Sequence, residues 1–512
     1  MKRLSKLLKG IKGVYRIQGE MDIDITHLTA DSREVRPGSL FVAWKGRTND
    51  GHRFAHEAVA RGARAILVET PIEIDSSVTL LQTQNSREAY AHLCAAWFEY
   101  PAYHLKTIGI TGTNGKSSTA YYIYQLLKGL GRRVGLIGTV FCLAEEEILP
   151  ATLTTPDSYE LHRLLSYYLQ KGISHVVMEV SSIALDQRRT EGIPFSGAIF
   201  TNLSHDHLDY HGSFAAYRDA KKRLFDNLSQ TAFALTNADD KHGLFMLQNT
   251  SAVRYSYSLQ GVADFSLRLR DLGLWGIEYE LHLRYGEAHP HREIPLLLET
   301  SPTLTAPLIG RFQGYNLLAA VAGAFLIEGE GEIAELRARW HELVQLSTLL
   351  RTLPGRLEPV PLQEGRVGLV DYAHSPDAVE QVLQTLRPLL SGEGKLVVVL
   401  GAGGDRDRKK RAPMGQIAAR LADIVILTSD NPRSEDPLSI IQEMMEGIPL
   451  TLRSKVFAIP DRQEAIQTAV QLSPPRSLIA VLGKGHETYQ EIQGIKYPFS
   501  DRAVLEALAY AH

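Results

Sequence analysis

Short apolar runs recur along the chain, each ending near a glycine or an acidic residue and each followed by an amphipathic stretch. In residues 1–103 these are SLFVAW (39–44) and ARAILVE (63–69), set between polar turns and helical segments. From 104 to 345 the rhythm is stricter: KTIGI (106–110), a helix from Lys116 to about Gly129, VGLIGT (134–139), a helix near 157–171, HVVMEVSS (175–182), FSGAIFTNL (195–203), a helix near 213–228 and AFALTNADD (232–240). Continuously apolar strands joined by helices predict a parallel sheet covered on both faces. Residues 251–300 alternate instead, as in EYELHLRY (278–285), and predict an antiparallel appendage; a helical stretch at 315–350 then ends at Leu353-Pro354-Gly355. The last region resumes the first pattern with VGLVDYAH (367–374), a helix from Pro376, KLVVVLGAGG (395–404), ADIVILTSDN (422–431) and SLIAVLGKGH (477–486). The expected fold is α/β in three domains, 1–103, 104–345 and 346–512, each on a mixed or mostly parallel sheet with flanking helices. YPAYH (100–104) is the first linker. Ligands are expected at the carboxyl ends of the strands.

Composition narrows the function classes. A chain of 512 residues is too long for one core, which supports about three domains. The 55 Lys and Arg against 58 Asp and Glu leave a net charge of −3, which gives no support to nucleic-acid binding. Two cysteines, Cys94 and Cys142, make neither a disulfide framework nor a thiolate metal site. The basic N-terminus has no apolar signal core and no uncharged run reaches the ~18 residues of a membrane span, so a cytoplasmic protein is expected; a monomer is the expected state, although the sequence carries no signal for it.

GITGTNGKSST (109–119) follows an apolar strand and opens a helix. Its spacing, GxxGxxGKS, departs from GxxxxGK[ST] because Ile110 stands at the first glycine position. The backbone N–H groups of Gly112, Thr113, Asn114, Gly115 and Lys116 are expected to wrap a polyphosphate at the helix N-terminus. Lys116 would reach the terminal phosphates and Ser117 would sit on Mg²⁺, which predicts ATP or GTP binding. Glu179 ends a buried strand, where a carboxylate calls for a metal or a cationic partner; Mg²⁺ shared with Ser117 meets that need. NLSHDHLDYHG (202–212) crowds histidines and aspartates without a zinc spacing, and His207 is the candidate there. On the helix SFAAYRDAKKRLFDNL (213–228), Lys221 leans toward the apolar stripe and reads as a snorkelling surface lysine, with Lys222 and Arg223 solvated.

GITGTNGKSST, LTTPD (153–157), MEVSS (178–182), NLSHDHLDYHG, the AKK helix, LPGR (353–356), DYAHSPD (371–377) and LGKGHE (482–487) stand in the order seen in Mur ligases, the ATP-dependent amide-forming enzymes that build the peptidoglycan stem peptide. The resemblance extends to TADSREVRPGSLFVAWKGRTNDGH (29–52), GRFQGYN (310–316), GAGGDRDRKKR (401–411) and SDNPR (429–433), and so covers all three regions. It implies a UDP-MurNAc-binding domain, a central P-loop ATP-binding domain and a C-terminal Rossmann-like domain for the amino acid, with ATP and Mg²⁺ required. Lys116, Glu179, His207 and Lys221 are implied as catalytic. Lys221 matches the lysine that becomes a carbamate and could hold a second Mg²⁺ with His207. Ser118 belongs to the phosphate loop, Asn316 is implied at adenine, Asp371 at ribose with His374 beside it, and Arg356 at the phosphates. Ser32, Arg47, Thr48 and Asn49 are implied for the uridine diphosphate, and Thr154, Thr155, Ser181, Gln187 and Arg189 for the sugar-peptide of UDP-MurNAc-L-Ala-D-Glu.

The resemblance also implies which amino acid is added. meso-Diaminopimelate and L-lysine differ by a carboxylate, which a planar arginine can select. Asp430-Asn431-Pro432-Arg433 matches the diaminopimelate motif, Arg406 a second carboxylate contact, and Gly483 and Glu487 contacts to the amino acid's polar head. The implied reaction activates the D-glutamate γ-carboxylate as an acyl phosphate, releases ADP, and lets the amine displace phosphate. An L-lysine-adding ligase and folylpolyglutamate synthetase are rivals within related enzymes. A P-loop regulatory switch is the rival from another class, but the chain has no NKxD motif.

Overall fold

The apolar runs assemble into three main sheets in this computed structural model, which describes residues 1–510 apart from 47–48, 151–152, 205, 287–295 and 330. The chain forms two compact units, one of 1–268, 281–301 and 315–347, the other of 269–280, 302–314 and 348–512.

The first unit holds two sheets. The N-terminal one has the order Val14–Gln18, Thr79–Thr83, Ala65–Val68, Ser39–Val42, His27–Thr29, parallel except for its first strand. Its inner strands are buried on both faces, one under the helix Ser86–Trp97 through Leu93 and Cys94, the other under Ala55 and Ala58. Asn85 starts that helix by accepting the Glu88 N–H at 3.1 Å. In the central sheet the parallel strands run Val134–Ile137, His175–Glu179, Lys106–Thr111, Gly197–Phe200, Phe233–Asn237, Val253–Ser258. The expectation for 251–300 is therefore corrected in part: Val253–Ser258 extends the parallel sheet and pairs with Phe233–Asn237. Its inward Tyr255 and Tyr257 are buried, and one covered face is enough for a strand to alternate without reversing direction. Antiparallel pairing begins at Gly276–Tyr285, against Leu297–Thr300 and Leu304–Ala306. The predicted helical stretch is two helices, Arg311–Ile327 and Ile333–Ser347, parted around Gly331 at φ 144°.

The second unit is built on Glu358–Pro361, Val367–Asp371, Leu478–Leu482, Leu396–Ala402, Ile424–Ser429, Val456–Ala458, again parallel except at the first strand. Asp371, Gly483, Gly403 and Asp430 sit at or just beyond the carboxyl ends of its parallel strands. Among the described residues no helix is long and apolar enough to cross a membrane.

Candidate functional site

The strand Lys106–Thr111 runs straight into the helix Lys116–Gly129, and the turn between them needs glycine twice. Gly112 has φ 150° and a Cβ there would collide with Thr201; Gly115 has φ 85° and a Cβ would collide with the Asn316 amide. Asn202 shapes the loop from the adjacent strand end. Its carbonyl accepts the Thr113 N–H at 2.8 Å and its side chain accepts the Asn114 N–H at 3.0 Å. Those two N–H groups thus hold the loop to Asn202 rather than forming part of an open cradle, a correction to the expected wrap from Gly112 to Lys116. The helix opens with the Thr119 N–H on the Gly115 carbonyl at 2.9 Å, so the N–H groups of Lys116, Ser117 and Ser118 lie in its first turn, at the positive end of the helix dipole.

Cations and a carboxylate meet at this turn. Lys116 Nζ donates to the carbonyls of Gly112 at 3.0 Å and Thr113 at 2.7 Å. Lys221 Nζ reaches the same Gly112 oxygen at 2.7 Å. Lys221 is 2% exposed, not a surface lysine, because the buried face of its helix takes in Tyr217, Ala220, Lys221 and Leu224 together. Burial, reinforced by the charge of Lys116, holds its amine well below the usual lysine range. The expectation for Lys222 is also corrected: it is buried and bonded to Asp226 and to the Gln248 carbonyl. Arg223 pairs with Asp186 at 3.2 Å. On the other side Ser117 donates to Glu179 Oε2 at 2.8 Å, while the Thr139 N–H and hydroxyl reach Glu179 at 2.7 and 3.2 Å. Glu179 is buried and Asn316 is buried near Thr119. His207 is exposed, in the left-handed region at φ 52°, with its ring 6.2 Å from that of Tyr217. Tyr217, absent from the sequence candidates, lies under Lys221 Nζ (4.7 Å) and bonds Thr113 at 3.0 Å.

A second cluster lies in the same unit. Arg189 donates to Gln187 at 2.7 and 3.0 Å and to the Thr155 carbonyl at 2.8 Å. Thr155 in turn accepts the Ser181 N–H at 3.0 Å, and Thr154 meets Thr139 at 3.1 Å. Ser181 also caps the helix Ser182–Asp186. Gln187 opens onto a pocket of about 410 Å³ lined by Lys45, Gly46, Arg87, Asp186, Gln187 and Tyr210. Arg87, which the sequence reading missed, is half-buried with its guanidinium 4.9 Å over the Trp44 ring. Only the neighbouring fold reveals it, since its sequence context is an ordinary helix start. Ser32 is buried in the turn Ser32–Glu34, and Asn49 is exposed. Arg47 and Thr48 lie outside the described residues.

The second unit gathers the remaining candidates at its strand ends. Asp371 accepts the N–H groups of Leu357 at 2.7 Å and Ala373 at 2.8 Å, which ties the LPGR turn to the strand. Burial raises its pKa, with Arg356 and the two N–H groups opposing. Arg356 lies 5.1 Å over the Tyr372 ring, and the exposed His374 bonds the Tyr372 carbonyl at 2.8 Å. Gly483 has φ 113° and packs against the Asp430 carboxylate. Asn431 and Glu487 are bonded at 2.8 Å, and Pro432 is buried between Asn431 and Arg433. Arg433 sits in the left-handed region at φ 51°, fixed by its N–H on the Glu491 carbonyl and its carbonyl on the Gln493 N–H. Its guanidinium donates to the Gly404 carbonyl at 2.6 Å and lies 3.4 Å from Glu491. Arg406 is exposed. The buried Lys484 is a further residue that the sequence reading passed over.

Known proteins resemble the chain over nearly its whole length. Residues 24–102 match the Mur ligase family catalytic domain, 110–324 the Mur ligase middle domain and 355–485 the Mur ligase glutamate ligase domain. A UDP-N-acetylmuramoyl-L-alanyl-D-glutamate–2,6-diaminopimelate ligase of Cytophaga hutchinsonii is 42% identical, covering 96% of each chain. One of the same name from Aquifex aeolicus is 39% identical, covering 99% of this chain and 95% of its own. A solved structure of such a ligase superposes with a TM-score of 0.65 at 33% identity, covering 95% of this chain and 94% of its own. A folylpolyglutamate synthase of Mycobacterium tuberculosis, solved with ADP and AMPPCP, shares the fold at 19% identity and a TM-score of 0.59, over 78% of this chain and 92% of its own. The chain is a ligase and belongs to the Mur ligase family.

Proposed function

We propose that the chain is the ATP-dependent, ADP-forming ligase that adds meso-2,6-diaminopimelate to the D-glutamate γ-carboxylate of UDP-MurNAc-L-Ala-D-Glu in peptidoglycan biosynthesis. The observation that carries this reading is the pair of features at one strand end, the fixed Arg433 guanidinium and the bonded Asn431–Glu487 pair, in a chain about 40% identical to relatives bearing that ligase's name. An arginine held by a carbonyl is a bidentate donor for the distal carboxylate that lysine lacks.

In this reading Lys116 and the first-turn N–H groups bind the ATP phosphates, and Ser118 lines the same turn. Asn316 takes the adenine, Asp371 the ribose, and Arg356 and His374 the nucleotide beside them. Transfer of the γ-phosphoryl group to the D-glutamate carboxylate gives an acyl phosphate and ADP, and the amino acid's neutral amine then displaces phosphate. Positioning and charge stabilisation dominate such a transfer. The Ser117 hydroxyl and the buried Glu179 carboxylate form the small oxygen set Mg²⁺ accepts alongside phosphates and water; among the described residues no group of three His, Cys, Asp or Glu is placed to hold a metal ion alone. Mg²⁺ there would supply positive charge to the phosphates. The lowered pKa of Lys221 favours the neutral amine that attack on CO₂ requires, and the resulting carbamate, together with His207, would be a ligand set for a second ion. Arg189, Gln187, Thr154, Thr155, Ser181, Ser32 and Asn49 serve the nucleotide-dipeptide, with Arg87 added to them, and Arg406 serves the amino acid. The protein acts as a monomer in the cytoplasm.

The test is ADP release with the nucleotide-dipeptide and each amino acid. Turnover is expected with meso-diaminopimelate and about a hundredfold less with L-lysine at equal concentration; equal turnover with the two would overturn the assignment.

A further inference from the structure

We infer that Lys484, given no part above, is a positioning residue for amino-acid recognition: it turns one oxygen of Glu487 toward an ammonium group of the incoming amino acid. This rests on the functional reading just given. Lys484 follows the strand Leu478–Leu482, and its side chain is 0% exposed. Its ammonium donates to Asn431 Oδ1 at 3.0 Å and to Glu487 Oε2 at 2.8 Å, and lies 5.5 Å from the centre of the Tyr489 ring.

These contacts determine the orientation of two further groups. Asn431 Oδ1 accepts from Lys484 and also from the Glu491 N–H at 2.9 Å, so the acceptor end of the amide faces that way. Its NH₂ end must then face Glu487 Oε2, where it donates at 2.8 Å. Oε2 therefore carries two donors, and rotating the carboxylate would break both bonds. Oε1 accepts no hydrogen bond among the described residues. Glu487 is 17% exposed at its side chain against 0% for Lys484, so the carboxylate reaches the surface of the site while the ammonium stays beneath it.

The layer below is rigid. Arg462 and Asp501, both fully buried, form a two-armed pair at 2.7 Å, and Arg462 also holds the Leu482 carbonyl at 3.0 Å. A buried ion pair is weak evidence for stability, since well-packed apolar residues often replace one without loss. A pair that leaves one carboxylate oxygen outward, on an amide of fixed orientation, instead presets a hydrogen-bond acceptor before the ligand arrives.

The experiment compares Lys484→Met, Glu487→Gln and the double variant in the full chain, with ADP release as readout. Lys484→Met is expected to raise KM for meso-diaminopimelate about tenfold or more while KM for ATP and for the nucleotide-dipeptide stays within about twofold. In the double variant the rise should equal that of Glu487→Gln alone, because Lys484 acts through Glu487. An unshifted amino-acid KM, strictly additive effects, or equal rises for all three substrates would overturn the role. Should Lys484→Met not fold, Lys484→Gln, which keeps a donor but no charge, reads the same split, with KM for ATP as the check on the fold. Wild-type protein assayed in parallel separates the failures: without amino-acid-dependent ADP release the functional reading falls, whereas wild-type turnover with unshifted variants sinks the positioning role alone.

Discussion

The turn at Gly112–Ser117 and the cluster around Arg433 both stand at the carboxyl ends of parallel strands, yet they treat charge in opposite ways. At the first, the ammonium groups of Lys116 and Lys221 converge on carbonyl oxygens, both touching Gly112. These acceptors are neutral backbone oxygens, and burial together with the Lys116 charge pushes the Lys221 amine toward its neutral form. At the second, two cations already have carboxylates: Lys484 has Glu487 and Arg433 has Glu491. A lysine resting on neutral acceptors at a helix start suits a polyanion such as a triphosphate, whereas ion pairs suit a zwitterion whose own groups insert among them. In the proposed function the same sheet architecture thus serves two ligand classes through the pairing of its side chains.

Four changes test that contrast, beginning with the largest expected effect. Lys221→Ala should lower kcat about a thousandfold or more, with partial rescue by short carboxylates that replace the carbamate; full activity in an ADP-release assay would remove the carbamate from the mechanism. Arg433→Ala should raise KM for meso-diaminopimelate about a hundredfold and leave KM for ATP nearly unchanged. Parallel shifts in both constants would show that the two sites do not divide the ligands as argued. Arg87→Ala should raise KM for the nucleotide-dipeptide about tenfold, since a half-buried guanidinium over Trp44 suits an anionic group in the adjoining pocket; an unchanged KM would remove Arg87 from that site.

The smallest effect on catalysis is expected at the start of the interior strand His175–Glu179, away from Glu179. His175 opens the strand that Glu179 closes, and it contacts Glu328 at 2.8 Å while Arg132 bonds the same carboxylate at 2.6 Å. Burial alone would raise the Glu328 pKa, but His175 and Arg132 outweigh it and bring it down to about 2. A carboxyl with a depressed pKa stabilises the fold above its unfolded value near 4.5 and loses that contribution as pH falls toward 2. Glu328→Gln should therefore lower Tm at pH 7 by the equivalent of about 2 kcal/mol, with kcat preserved. The gap to wild type, followed by thermal melts, should narrow below about pH 4.5. A constant gap down to pH 2 would contradict the ion-pair account.

Much of the scaffold is readable locally. The helix predicted from Lys116 to about Gly129 spans those residues, and Val367–Asp371 and Leu396–Ala402 fall within their apolar runs. Strands of this kind are specified by contiguous β-branched and aliphatic residues, and the phosphate turn by glycines whose φ values no other residue adopts cheaply. The strand Val253–Ser258 departs from the expected antiparallel pairing because alternation reports one exposed face, not strand direction. Lys222 departs from the expected solvated state because its partners, Asp226 and the Gln248 carbonyl, come partly from a separate segment. Arg87 and Tyr217 carry no local signal at all, since their importance arises from Trp44 and Lys221 packed against them.

By itself the sequence determined the α/β class, the positions of the phosphate turn and of the DNPR and GKGHE segments, and the family resemblance, because each is written in contiguous residues or in their order. The tertiary structure decided which groups the charges meet. Lys221 and Lys116 meet on one carbonyl, and Lys484 lies beneath Asn431 and Glu487. Burial and pairing depend on residues far apart in the chain, and these set whether a lysine is a solvated cation, a lowered-pKa amine or a fixed hydrogen-bond donor.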